Sequence, residues 1–253
     1  MRHFTTILGH EIRMLLVSPN TYIVAAFFLG VMGTIFTGIL ESYSKAAQEV
    51  SPAQVFFQLY FIPVLFMVPF LTMKCFAEER RLGTIETLLT TPVSTVEVVL
   101  GKYGATYFLY LVLWALTGGF FYILHRFAGD APFFDPGPLV GGYLFIAVSG
   151  LMFVALGVLA SSLSRSQTVA AILCFAVLLA LIIGVPLLLE LPALASDTFR
   201  PVRTAVEYAQ ISDHLGDFTR GVVDTRQVLY YLSGTILALT VTVFGVEARL
   251  LHA

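Results

Sequence analysis

Six apolar stretches, each long enough to cross a bilayer as a helix and none with Asp, Glu, Lys or Arg in its core, constrain this chain more than anything else in it. They run over about 21–40, 55–76, 103–124, 139–163, 167–189 and 228–246. A hydrocarbon core takes roughly 17–25 residues of helix, and water is absent there to satisfy irregular backbone. The pattern therefore predicts an all-α integral membrane protein with six transmembrane helices. Composition agrees: 58% of the residues are hydrophobic and 12% are charged, against about 25% charged in a soluble domain. The loops are too short for a soluble catalytic domain, so residues 1–253 read as one transmembrane domain. Net charge is -2 and no basic stripe appears, which argues against a nucleic-acid partner. Arg2, His3, His10 and Arg13 are spread through a mixed N-terminal segment, so no cleaved signal peptide is expected.

Before the first span, Phe4, Leu8, Ile12 and Leu15 recur at helical spacing, with Arg2, Thr6, Glu11 and Arg13 directed elsewhere. That predicts an amphipathic interfacial helix, ended by Ser18-Pro19-Asn20. Pro63 and Pro69 predict a bent or locally unwound second span. The fourth span is rich in small residues, Gly141, Gly142, Ser149, Gly150, Gly157, Ser161 and Ser162, which suit close helix packing. Asp224 and Gln227 form a capping-box-like start to the sixth span. In the short loops, basic residues concentrate on the side that holds Arg2, Arg13, Lys74, Arg80, Arg81, Lys102, Arg165 and Arg249. The positive-inside rule then puts both termini in the cytoplasm.

The connector between the second and third spans reads Glu78-Glu79-Arg80-Arg81-Leu82-Gly83-Thr84-Ile85-Glu86-Thr87-Leu88-Leu89-Thr90-Thr91-Pro92. Leu82, Ile85, Leu88 and Leu89 fall on one helical face, Glu79 and Glu86 on another. Pro92 stops this helix, and Ser94 with Glu97 starts the next through a capping box. The result is a short amphipathic helix, a turn and a second helix into the third span at Gly101-Lys102. An apolar ridge flanked by carboxylates suits docking of a soluble partner; a solvated connector is the plainer reading.

This stretch resembles the Glu-x-x-x-Gly-Thr-x-Glu-x-Leu-Leu-x-x-Pro signature of ABC-2-type transporter permeases, here Glu79, Gly83, Thr84, Glu86, Leu88, Leu89 and Pro92. Glu11-Ile12-Arg13 before the first span is similar to the family too. So is Phe218-Thr219-Arg220-Gly221-Val222-Val223-Asp224 before the last, a pattern resembling gliding-motility-type permeases. The resemblance implies a site made of Glu78, Glu79, Gly83, Thr84, Ile85, Glu86, Leu88, Leu89 and Pro92, a coupling helix that docks a cytoplasmic ABC ATPase subunit. It marks Glu11 and Arg13 on the interfacial helix, and Phe218, Gly221 and Asp224 on the outer segment, as further family positions. It implies a second permease copy or a related permease, room for an accessory envelope protein, export as the direction, and the bacterial cytoplasmic (inner) membrane. ATP and Mg would be bound by the partner subunit and no cofactor by this chain. Gly101-Lys102 is followed by Tyr103 and lacks the upstream glycine of a phosphate-cradling loop. The chain itself is therefore not expected to be an enzyme.

In the stretch 190–227, between the fifth and sixth spans, residues 205–223 suit short helices packed near the outer leaflet, with Leu215, Phe218 and Val222 sharing a face; a mobile linker is the alternative. His125, Asp130 and Asp135 lie in a proline-rich turn, and the remaining histidines are scattered, so no metal site is expected. Cys75 and Cys174 read as packing thiols. Three rivals stand beside the permease reading. An intramembrane metalloprotease needs mid-span histidines, which are missing. A secondary transporter usually buries ionisable groups in its spans, where this chain offers only the amide of Gln58. A non-transporting scaffold of a motility or envelope machine would use the same bundle.

Overall fold

The computed structural model describes residues 2–45, 50–83, 94–128, 136–190 and 200–250. Among the described residues every regular element is helical. A helix α1 (Arg2–Val17) leads through Ser18 into α2 (Pro19–Lys45). Next come α3 (Pro52–Gln58), α4 (Phe61–Thr72), α5 (Ala77–Leu82), α6 (Thr95–Ala128) and α7 (Pro136–Leu163). After α8 (Gln167–Leu179), a π-helical turn over Ala180–Gly184 leads into α9 (Val185–Leu189); α10 (Arg200–Tyr208), α11 (Ile211–Thr219) and α12 (Thr225–Leu250) complete the chain. Among the described residues six stretches are long and apolar enough to cross a membrane: Pro19–Lys45, Phe61–Leu82, Thr95–Phe127, Pro136–Leu163, Gln167–Leu189 and Thr225–Ala248. The protein is an all-α, multi-pass membrane protein.

The fourth span, α7, is the centre of the bundle and touches α3, α4, α5, α6, α8, α11 and α12. Its small residues explain how. A Cβ on Gly142 would lie 2.3 Å from the Phe57 ring, one on Gly150 2.3 Å from Tyr110, and one on Gly157 2.4 Å from Thr72 Oγ1. Without those hydrogens-only positions the neighbouring helices could not approach so closely. Hydrogen bonds then set the register. Tyr103 donates to the Leu151 carbonyl (3.1 Å), Tyr107 to Ala147 (2.7 Å) and Tyr110 to Ile146 (3.3 Å), so three hydroxyls of α6 run down the antiparallel α7. Tyr60 from the second span joins them, 2.8 Å from both Tyr110 Oη and Ser149 Oγ.

The second span is not one helix. It breaks between α3 and α4 at Leu59–Tyr60 and again at Met73–Phe76. The first break sits four residues before Pro63, whose ring would clash with the Leu59 carbonyl in a continuous helix and has no N–H to offer it. That carbonyl accepts instead from Ile62 N–H at 3.3 Å. The second break follows Pro69, which α4 carries inside it. In the fifth span, Pro186 is accommodated by the π turn before it, where Val185 N–H reaches back to the Ala180 carbonyl.

Candidate functional site

The connector starts where the second span breaks. At the break, Ser161 of α7 supplies what the backbone lacks. Its hydroxyl accepts from Phe76 N–H (3.0 Å) and Ala77 N–H (3.2 Å) and donates to the Met73 carbonyl (3.1 Å). These are the orphan groups that a helix end leaves, met inside the bundle by one side chain. Helix α5 then carries Glu78 and Glu79 in its first turn and Arg80 and Arg81 in its last, the order the helix dipole favours.

Gly83 ends α5 in the left-handed region, at φ 70°, a conformation glycine adopts without strain. The expected helical face from Leu82 to Leu89 is therefore not carried by α5, which stops at Leu82. Thr84, Ile85, Glu86, Leu88, Leu89 and Pro92, the larger part of the sequence-derived docking site, lie outside the described residues. Beyond them, Ser94 and Glu97 form the capping box read from sequence: Glu97 N–H donates to Ser94 Oγ (3.3 Å) and Ser94 N–H to Glu97 Oε2 (3.4 Å).

Helix α1 packs lengthwise on α6. Gly101 and Gly104 make the seat. A Cβ on Gly101 would meet Ile7 Cγ2 at 2.6 Å, and one on Gly104 would meet Leu8 Cδ1 at 3.1 Å. Sequence periodicity directed Glu11 away from the packed face. The structure puts it on that face, because its carboxylate has a cation to meet there. Lys102 Nζ lies 2.7 Å from Glu11 Oε1 and 2.7 Å from Glu79 Oε1. The lysine side chain is 5% exposed, and its ammonium stands 5.7 Å from the centre of the Phe76 ring. Arg13, by contrast, is exposed. The structure thus brings together Glu11 and Glu79 with Lys102, a site residue that sequence reasoning treated only as the end of a motif. The usable signal was its position: a lone lysine at the mouth of an apolar span needs counter-ions.

At the other end of the bundle, α10 and α11 lie between the fifth and sixth spans. Phe218 is fully buried, its ring 5.6 Å from Phe145 of α7, and its carbonyl rests where a Gly141 side chain would begin, 1.9 Å away. Gly221 turns the chain at φ 82°. The turn throws Val222 into the open (58% exposed), so it does not share the buried face of Leu215 and Phe218. Asp224 caps α12 through Arg226 N–H at 2.8 Å, but Gln227 does not close the expected box; its amide donates to Asp217 Oδ2 at 2.7 Å. That bond ties α11 to α12. His214, read as scattered, is buried among the rings of Tyr208, Tyr230 and Tyr231, with Nδ1 3.1 Å from Tyr231 Oη. Burial pushes its imidazole below the ordinary value, against the pull of the Tyr208 backbone and of Asp217, Asp213 and Asp224.

Among the described residues no three His, Cys, Asp or Glu side chains converge as metal ligands. Cys75 and Cys174 are free thiols, and Cys75 Sγ lies 3.3 Å from Thr106 Oγ1. An apolar crevice of about 110 Å³ opens between the first and second spans, walled by residues such as Phe27, Phe28, Ile62, Phe66 and Phe70.

A bundle of six apolar spans among the described residues, with α5 held to α7 through Ser161 and to α6 through Lys102, defines a polytopic membrane protein. Residues 5–244 match the family described as ABC-2 family transporter protein, so the chain belongs to that family, the permeases of ABC transporters. A comparison with curated proteins gave no match. Permeases of this family are generally non-catalytic and partner with an ATP-binding subunit.

Proposed function

We propose that the chain is the pathway-forming subunit of an ATP-driven exporter, paired with a second permease copy and docked to a separate ATPase subunit through residues 78–94. Family membership supports the class. The observation that carries the docking reading is the bracing of the connector: Ser161 holds its start to α7, and Lys102 holds Glu79 to α6. A solvated loop needs no such support, whereas an element that transmits force must not swing freely on its base. In this reading both termini lie in the cytoplasm, on the strength of loop charge. Among the described residues Lys102, at the mouth of the third span, is the one buried Asp, Glu, Lys or Arg, whereas a proton-coupled carrier usually carries such groups deep in its spans.

Co-purification with a co-expressed ATP-binding subunit of the same transporter tests the reading. Glu86→Ala removes one carboxylate and Leu89→Asp breaks the apolar ridge. Each is expected to weaken capture of the ATPase subunit at least tenfold while leaving the helical content unchanged. Undiminished capture by both variants overturns the docking role.

A further inference from the structure

Lys102 joins three segments that are far apart along the chain. Glu11 belongs to α1, Glu79 to α5 and Lys102 to α6, and a single ammonium serves both carboxylates at 2.7 Å each. Two carboxylates repel, so Glu11 and Glu79 have no favourable arrangement with each other in the absence of the cation between them. A lysine suits this place: its ammonium is a compact charge with three donors that point in different directions, whereas a guanidinium imposes one planar fork. The surroundings are shaped for the same contact. Gly101 and Gly104 let α1 lie directly on α6, next to the ion cluster. On the other side, α5 is held to α7 by Ser161. Between α1 and the first span only Ser18 intervenes.

We propose that Lys102 is a positioning residue: an electrostatic joint that makes α1, and through Ser18 the first span, follow any displacement of the connector. The origin of that displacement, an ATPase subunit pushing on residues 78–94, rests on the docking reading above. The joint itself is a property of this chain alone.

A coupling cycle separates a joint from a passive staple, because coupling between two sites is reciprocal and vanishes when the link is removed. The full chain in lipid nanodiscs is followed by hydrogen–deuterium exchange over residues 2–17. Ser161→Ala loosens the base of α5 without changing any residue of the ion cluster. It is expected to raise exchange in α1 at least threefold in the native background. In the Lys102→Met background the same substitution is expected to change α1 less than 1.5-fold. Lys102→Met leaves two carboxylates facing each other and is liable to misfold. The cycle is therefore repeated on the triple variant Glu11→Gln/Lys102→Met/Glu79→Gln, which removes all three charges of the cluster together. Equal increments in native and triple backgrounds, or an α1 that ignores Ser161→Ala, overturn the proposal. A second arm adds the co-expressed ATPase subunit with ATP and vanadate. Exchange in α1 is expected to respond in the native complex and not in the triple variant. If the ATPase subunit is not captured, the docking reading fails while the first cycle still decides the joint.

Discussion

Removing the Ser161 hydroxyl isolates the energetic weight of the break in the second span. In Ser161→Ala the Phe76 and Ala77 amides and the Met73 carbonyl lose the partner they share. Ser161 is fully buried, so water does not replace the hydroxyl without rearrangement. Each buried group left unsatisfied costs about 1–3 kcal/mol. The backbone relaxes part of the way, by closing the break toward a helical turn. A net loss of about 2–3 kcal/mol is therefore expected, which is roughly a 30- to 150-fold loss of protection at 1.4 kcal/mol per tenfold. Ser162→Ala is the matched control: Ser162 is equally buried, but its hydroxyl donates only to the Leu159 carbonyl of its own helix. Its loss should cost under about 1 kcal/mol. Residue-resolved hydrogen exchange of the Phe76 and Ala77 amides in nanodiscs reads both. If Ser161→Ala exposes them no more than Ser162→Ala does, the break is held by something other than Ser161 and the reasoning fails.

Two further outcomes concern the far end of the bundle. Gly141→Ala puts a methyl group into the Phe218 carbonyl, 1.9 Å from where its Cβ would stand, and should loosen α11 by about 3 kcal/mol, the upper end of ordinary overpacking. Limited proteolysis between residues 200 and 224 checks this, with Gly38→Ala, which has nothing within 4 Å, as the silent control. His214 makes the same segment pH-sensitive. Its imidazole is held below the ordinary value near 6.5, so the undocked segment takes up a proton at higher pH than the docked one. The stabilisation is fully present above about pH 6.5 and is lost as the pH falls through the docked value. Exchange over residues 200–224, corrected for the intrinsic pH effect, should rise on acidification. His214→Gln should flatten that dependence, and an unchanged profile would argue against it.

The six spans and the capping box at Ser94 were legible because each depends on neighbours in sequence: a run of apolar residues, or a serine three positions before a glutamate. The small residues of the fourth span announced close packing, but not that Gly150 would receive Tyr110 or Gly157 Thr72. The Glu11–Lys102 pair spans 91 positions, and no local pattern ties such residues together. Helical periodicity even misdirected Glu11, because it sorts residues by polarity and a carboxylate can face inward when a cation waits there. His214 was discounted for the same reason, since its three tyrosines gather only on folding. Val222 was misassigned by a periodicity that ran across Gly221, where the backbone turns left-handed.

The broken second span also has a bearing on how the protein is made. Helix α4 runs Phe61–Thr72, and at 1.5 Å per residue it is about 18 Å long, well short of a hydrocarbon core of about 30 Å. The irregular turn that extends it is finished by a serine 85 positions later. At about 5–20 residues per second, the ribosome needs roughly 4–17 s to deliver that serine after Phe76 has been made. During the interval the second segment faces the membrane with open amides. Its insertion is thus a provisional event, completed only when the fourth segment arrives beside it, and conditions that hasten lateral release into lipid would penalise this segment before the others.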